Sequence, residues 1–316
     1  MSSSPVHMFL PGHNQQMADE LVRVLPGRQL ISLEDAKAFN AALPKMEILV
    51  TGRPPKNRWA RADNLRMIHV AGSGVDSLLP APDLAEHVVV TNSRGSHEPH
   101  MPEFVMAMAL ALAYNVPQLV RQQHNHQWRE TFPRPLFEQT MCVVGMGTVG
   151  RSVARRAKAL GMKVVGVSRS GRHVDGIDQV VATGDRQYVL SDADVVVVCV
   201  PLTDQTRGLI GPRELGAMRR GGILVDVSRG GVVYLDAVIA ALESGQLRGA
   251  ALDVFRTEPL PAHHPAWDVE GLLITPHVAG LSRDYMARLC RSFAENLQAF
   301  ETGMTPPNTV NRNRGY

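Results

Sequence analysis

The sequence predicts an α/β protein built on parallel, doubly wound sheets. Three observations carry that prediction. Short apolar, β-branched runs alternate with helical patterns, most regularly from residue 140 onward. Those runs are apolar throughout rather than alternating with polar residues, which marks strands covered by helices on both faces. The chain has 316 residues, a length that fits about two domains.

The elements follow in order. "MEILVTG" reads as a strand, "LRMIHVAGSG" as a strand and a glycine-rich turn, and "HVVVTN" as a third strand. The stretch "EPHMPEFVMAMALALAYNVPQLVRQQHNHQWRE" reads as two long helices broken near Pro117, suited to bridging domains or packing against a second subunit. Beyond it come "TMCVVG", "KVVGVS", "DVVVVCV", "ILVDVS", "GAALDV" and "LLIT" as strands. In "VGRSVARRAKALG", Val149, Val153, Ala157 and Leu160 recur with the spacing of one helical face. "LDAVIAALESG" is a helix that Gly245 closes, and "RDYMARLCRSFAENLQAFETG" is a long amphipathic helix closed by Gly303.

Composition excludes several classes. Apolar residues make up 44% and charged residues 20%, as in ordinary globular proteins. The net charge of +3 is spread without basic runs, so no nucleic-acid partner is expected. Cys142, Cys199 and Cys290 match no metal spacing and read as small buried hydrophobes in a reducing compartment; no metal is expected. "MSSSPVHMFLPGHNQQ" lacks the pattern of a secretory leader, and no apolar run approaches the ~20 residues of a membrane span. A soluble, cytoplasmic protein without a membrane partner is the expectation.

Gly145-Met146-Gly147-Thr148-Val149-Gly150 follows an apolar strand and opens a helix. Glycines at this spacing permit a tight turn, close approach of a pyrophosphate and close helix–sheet packing, and the helix N-terminus offers N–H groups to the anion. A dinucleotide is the implied ligand. For NAD, the next strand ends in an acid about 20 residues on. Here that strand ends in Ser168, Arg169 and Ser170, with Arg172 beyond. Hydroxyls and a guanidinium suit a 2′-phosphate that a carboxylate would repel. NADP(H) is therefore favoured; NAD(H) stays possible if the arginines are merely solvated.

Arg229 in "LVDVSRGGVV", Glu258 in "GAALDVFRTEPLP" and His277 in "LLITPHVAG" each follow an apolar strand, at the edge where ligands of open α/β sheets bind. His97, His100, His124, His126, His263 and His264 lie in polar segments without ligand spacing and read as solvated or structural. Trp128 and Trp267 are open between cleft-capping and packing roles.

These motifs, with "AGSGVDSL" and "VPLTDQTRGLIG", resemble the D-isomer-specific 2-hydroxyacid dehydrogenases over nearly the whole chain. The resemblance implies reduction of 2-keto acids with a nicotinamide cofactor. It implies a Rossmann-type nucleotide domain, 98–283, inserted in a flavodoxin-like substrate domain made of 1–97 and 284–316, and a homodimer. It places the catalytic roles on Arg229, Glu258 and His277. Substrate binding falls on Ser73 and Gly74 with Arg229 and His277. Cofactor binding extends from Gly145, Met146, Gly147, Thr148, Val149, Gly150, Ser168, Arg169 and Ser170 to Val200, Pro201, Thr206, Val227, Asp253 and Gly280. The Ser168–Ser170 end and "QWRE" look most like the NADP-preferring glyoxylate/hydroxypyruvate reductase branch. Asp226 stands where many members have Asn and adds a charge near the cofactor's strand. Pro102 precedes Glu103 where many have a small residue. Two alternatives remain: an NAD-linked oxidation of a D-hydroxy acid, phosphoglycerate and formate chemistry included, and a nucleotide-sensing scaffold without turnover.

Overall fold

The computed structural model describes residues 4–55 and 58–316. Met1–Ser3, the start of the stretch read against a secretory leader, lie outside the described residues. In chain order the elements are β1 (Val6–Phe9), α1 (Asn14–Val24), β2 (Leu30–Ser32), α2 (Ala36–Ala42), β3 (Ile48–Thr51), β4 (Met67–Val70) and β5 (Val89–Asn92). Then come α3 (Met101–Ala113), α4 (Val116–His124), β6 (Thr140–Val144), α5 (Thr148–Ala159), β7 (Lys163–Ser168), β8 (Gln179–Ala182), α6 (Arg186–Leu190) and β9 (Val195–Val198). The rest are α7 (Pro212–Ala217), β10 (Gly222–Asp226), α8 (Leu235–Glu243), β11 (Leu247–Leu252), β12 (Leu272–Ile274) and α9 (Tyr285–Glu301).

The chain divides into two compact units: Met1–His97 with Ser282–Tyr316, and Glu98–Leu281. The first holds a five-stranded sheet in the order β2-β1-β3-β4-β5, all pairs parallel, which is the flavodoxin-like order. The second holds seven strands in the order β12-β11-β10-β9-β6-β7-β8, also all parallel. Counted from β6 this is the Rossmann order, extended by one strand, with the switch point between β6 and β9. Both sheets bury apolar clusters on both faces, as expected of a doubly wound fold. In the second unit, Val143, Val197 and Val225 face one cluster with α3 and α5, while Val144, Val198 and Leu224 face the other with α8. Because every strand in a unit runs the same way, the turns after β6, β7, β9, β10, β11 and β12 share one edge.

Three strands go beyond the sequence reading: β1, β2 and β8, of three or four residues each. β2 and β8 are edge strands with only two consecutive large apolar residues each, and His7 interrupts β1. The expected helix pair is corrected in its second half. α3 ends at Ala113, and Asn115 turns the chain with φ +56, a conformation Asn tolerates. Pro117 then falls in the first turn of α4, where its missing N–H leaves no bond unmade. α4 stops after nine residues, and Asn125–Gln139 adds no further helix. Among the described residues no single helix is long and apolar enough to cross a membrane; the bent pair α3–α4 passes by length and composition together. α3 buries Val105, Ala109 and Leu112 in the core of its own unit.

Candidate active site

The turn after β6 shows why three glycines recur there. Gly145 has φ +110, and a Cβ on it would lie 2.9 Å from the Cys199 carbonyl oxygen. A Cβ on Gly150 would run into the Gly145 carbonyl oxygen, so glycine lets α5 start tight against the strand. At Gly147 a Cβ would meet nothing within 4 Å; this is open approach rather than close packing. Gly147 caps α5 without a side-chain bond, and no acid stands in the first turn. Thr148 begins the helix. Unused N–H groups and a helix dipole at an open turn fit a pyrophosphate. Met146 and Val149 offer only backbone: Met146 is 7% exposed, with its sulfur lying where a Cβ of Gly166 would sit, and Val149 packs on the same core.

At the end of β7, Ser168 Oγ accepts the Gly171 N–H at 3.0 Å, and the Ser168 carbonyl accepts from Thr183 Oγ1 at 3.3 Å. Arg169 and Ser170 are exposed. After β9, Val200 packs beside Gly145. The Thr206 hydroxyl donates to the Pro201 carbonyl at 2.6 Å and accepts the Thr203 N–H at 2.8 Å, so it shapes its own loop.

The turns after β10, β11 and β12 are tied to one another. Gly230 is required because a Cβ there would strike the Phe255 carbonyl, and the Arg229 turn thus lies flat against the Glu258 loop. Arg229 Nη1 donates to the Ser228 carbonyl at 3.0 Å, and Val227 is buried. Glu258 Oε1 accepts the Phe255 N–H at 2.9 Å, and Oε2 lies 2.9 Å from His277 Nδ1. His277 has φ +55, a left-handed conformation that costs a non-glycine residue about 1–3 kcal/mol and persists only when its surroundings impose it. Asp253 imposes it. Its backbone carbonyl accepts the His277 N–H at 2.9 Å. Its Oδ1 accepts from Thr275 Oγ1 at 2.6 Å and the Val278 N–H at 2.9 Å, and its Oδ2 accepts the Ala279 N–H at 3.0 Å. Gly280 is buried at the end of this loop.

Asp226, expected to add a charge, is only 2% exposed. It accepts the Ser228 N–H at 2.9 Å and the Ser228 hydroxyl. Burial pushes its carboxyl up to about 7; the Ser228 bonds oppose this, Asp253 adds to it and Arg229 opposes it. The expectation of a fixed charge is therefore corrected: near neutral pH this group is split between its acid and its anion.

In the other unit, Ser73 and Gly74 lie in the turn after β4. The Ser73 carbonyl accepts from Asn92 Nδ2 at 2.7 Å, and the Gly72 carbonyl accepts the Ser93 N–H at 2.9 Å. His69 lies beneath, fully buried, with Nδ1 2.8 Å from Thr91 Oγ1 and Nε2 2.9 Å from Ser93 Oγ. Burial alone pushes its imidazole down to about 3. Sequence reasoning missed Asn92, Ser93 and the anchoring roles of Asp253 and Gly230. The only local hint was the polar end of "HVVVTN". Of the remaining candidates, His264 Nδ1 accepts the Ala266 N–H at 3.1 Å, Trp267 donates to the Pro261 carbonyl at 2.9 Å, and Trp128 is 97% exposed. Among the described residues no three His, Cys, Asp or Glu side chains form a group that could hold a metal ion.

The chain is similar to known proteins in sequence and in fold. Residues 106–279 match the model of the D-isomer specific 2-hydroxyacid dehydrogenase NAD-binding domain. A glyoxylate reductase of Korarchaeum cryptofilum is 33% identical over 79% of this chain and 77% of its own. A D-3-phosphoglycerate dehydrogenase of Archaeoglobus fulgidus is 34% identical over 85% of this chain and 52% of its own. Among solved structures, the NADPH-dependent glyoxylate/hydroxypyruvate reductase of Sinorhizobium meliloti, in complex with NADP and sulfate, superposes with TM-score 0.90 at 28% identity. It covers 99% of this chain and 100% of its own.

Proposed function

The chain belongs to the D-isomer specific 2-hydroxyacid dehydrogenases, NAD(P)-dependent oxidoreductases, and from that premise we propose that it reduces a small 2-keto acid of the glyoxylate or hydroxypyruvate type to the D-2-hydroxy acid, with NADPH favoured over NADH. The observation that carries the reading is the 2.9 Å bond between Glu258 and a His277 held in a left-handed conformation. Strain kept at one imidazole, with a carboxylate beside it, is the mark of a positioned proton donor.

The bound cofactor supplies the hydride. Arg229 pairs its fork of donors with the substrate carboxylate and polarises the neighbouring carbonyl. Ser73 and Gly74 donate backbone N–H groups to the carboxylate. As negative charge grows on the carbonyl oxygen, His277 delivers a proton to it. Glu258 fixes the ring's tautomer and orientation, while the Phe255 N–H holds the other carboxylate oxygen in place. Arg169, with the hydroxyls of Ser168 and Ser170, recognises the 2′-phosphate. The unit Glu98–Leu281 is read as the nucleotide domain and the other as the substrate domain. The working assembly is read as a homodimer in the cytoplasm. Trp128, Phe132 and Phe137, at 97%, 90% and 66% exposure, are exposed aromatics in the stretch after α4 that a second copy would cover. The likeness to phosphoglycerate dehydrogenases keeps an NAD-linked oxidation of a D-hydroxy acid as the second reading.

A panel of glyoxylate, hydroxypyruvate, pyruvate and phenylpyruvate, each with NADPH and NADH, separates these. The first two substrates with NADPH give the highest kcat/KM. Arg169→Ala raises KM for NADPH and leaves NADH nearly unchanged; equal losses for both cofactors overturn the assignment of the 2′-phosphate.

A further inference from the structure

Two buried aspartates end neighbouring strands beneath the reactive turns. Asp226 ends β10 and Asp253 follows β11, its paired neighbour. The Asp253 N–H donates to the Asp226 carbonyl at 3.0 Å, and each residue is 2% exposed. Their surroundings differ. Asp253 receives three donors, two of them backbone N–H groups. Among the described residues, Asp226 receives side-chain bonds from Ser228, on Oδ1. Burial, with Asp253 adding to it, raises the Asp226 carboxyl, so Asp226 is the group that holds a proton near neutral pH. The other groups facing it are Arg229, which favours the anion, and Cys199 after β9, a thiol pushed up to about 12 by burial and by Asp226 itself.

The position matters as much as the chemistry. The Gly145–Gly150 turn takes the pyrophosphate and the end of β7 the adenosine ribose. The nicotinamide half of a dinucleotide then crosses the switch point toward β9, β10 and β11. A nicotinamide ring is neutral when reduced and cationic when oxidised. A buried carboxyl with low local dielectric responds strongly to such a change.

We propose that Asp226, backed by Asp253, senses the charge of the bound cofactor: it keeps its proton beside reduced nicotinamide and releases it to solvent beside the oxidised cation. The inference rests on the nicotinamide reading above. An amide at this position would have no proton to release. It would make the balance between oxidised and reduced cofactor depend on pH independently of the proton that His277 carries.

The test uses the full-length protein and cofactor alone, without substrate. NADP⁺ and NADPH are titrated calorimetrically near pH 7 in buffers of different ionisation heat, for the wild type, His277→Gln, and Asp226→Asn in the His277→Gln background. NADP⁺ binding to His277→Gln releases a fraction of a proton, and the double variant releases none. The ratio of Kd for NADP⁺ to Kd for NADPH falls about fivefold from pH 6 to pH 8 with Asp226 present, as a coupling of about one pKa unit requires over that range, and stays flat with Asn. Should Asp226→Asn fail to fold, the infrared difference between the two wild-type binary complexes gives the same answer: a buried carboxylic acid band present with NADPH and lost with NADP⁺. Proton release that survives Asp226→Asn, or an unchanged carboxylic band, overturns the inference and leaves the oxidoreductase intact. Failure of both cofactors to bind overturns the nicotinamide reading itself.

Discussion

The turn after β6 and the turns after β10, β11 and β12 share one edge of one sheet, yet they are made by opposite means. The first is shaped by what is absent. Gly145, Gly147 and Gly150 remove side chains where backbone must pass or an anion must approach. The others are shaped by what is buried. Asp253 gathers Thr275, Val278 and Ala279, and Asp226 gathers Ser228, so two carboxyls hold the loops that carry His277 and Arg229. A binding turn can be local and stiff. A reacting constellation drawn from three strand ends needs acceptors that reach across the chain, and those acceptors bring ionisation with them.

The sharpest way to break this contrast lies in the glycines. A Cβ on Gly150 meets a backbone oxygen that cannot move aside. Gly150→Ala therefore costs more than ~3 kcal/mol of stability, at the upper end of single substitutions. Gly147→Ala, in open space, folds normally and loses cofactor affinity. Denaturant titration beside fluorescence titration with NADPH separates the two. If both variants lose stability alike, the division into packing and approach is wrong.

His69 extends the contrast to the other unit, where a buried imidazole is held neutral. Its folded value, about 3, lies below the ordinary 6.5. The unfolded chain takes up this proton below 6.5 and the folded chain does not, so stability is lost as pH falls through that window. The slope is at most about 1.4 kcal/mol per pH unit. Thermal unfolding between pH 7 and pH 4 measures it. In His69→Gln the acid slope flattens; an unchanged slope would place the acid sensitivity elsewhere.

The smallest effect is expected at Glu258. Glu258→Gln keeps one acceptor oxygen where the carboxylate has two, so the ring and the Phe255 N–H can no longer both be held as they are. Steady-state kinetics then show kcat for reduction falling a few-fold while KM for NADPH stays in place. An unchanged kcat would separate Glu258 from the proton donor.

What the sequence revealed follows the same division. The glycine turn was legible because its cause lies within six residues, and β6 through β12 because their apolar runs alternate with helices, β8 excepted. Arg229, Glu258 and His277 were legible as strand-end residues in recognisable motifs. The devices that fix them were not. Gly230 answers to Phe255, twenty-five positions on, and Asp253 answers to a loop more than twenty positions away. Asp226 read as a charge because nothing in "LVDVS" says how deeply the strand end is buried. β1 lies inside its sheet, yet His7 interrupts its apolar run.

His277 also bears on how such a protein tolerates change. Its backbone has φ +55, where glycine would sit without strain. Replacing it with glycine would relieve about 1–3 kcal/mol of conformational cost and remove the imidazole with it. At this position selection for heat resistance and selection for turnover pull in opposite directions. A lineage screened only for robustness would drift toward a well-folded protein that still binds its dinucleotide and no longer finishes the reaction.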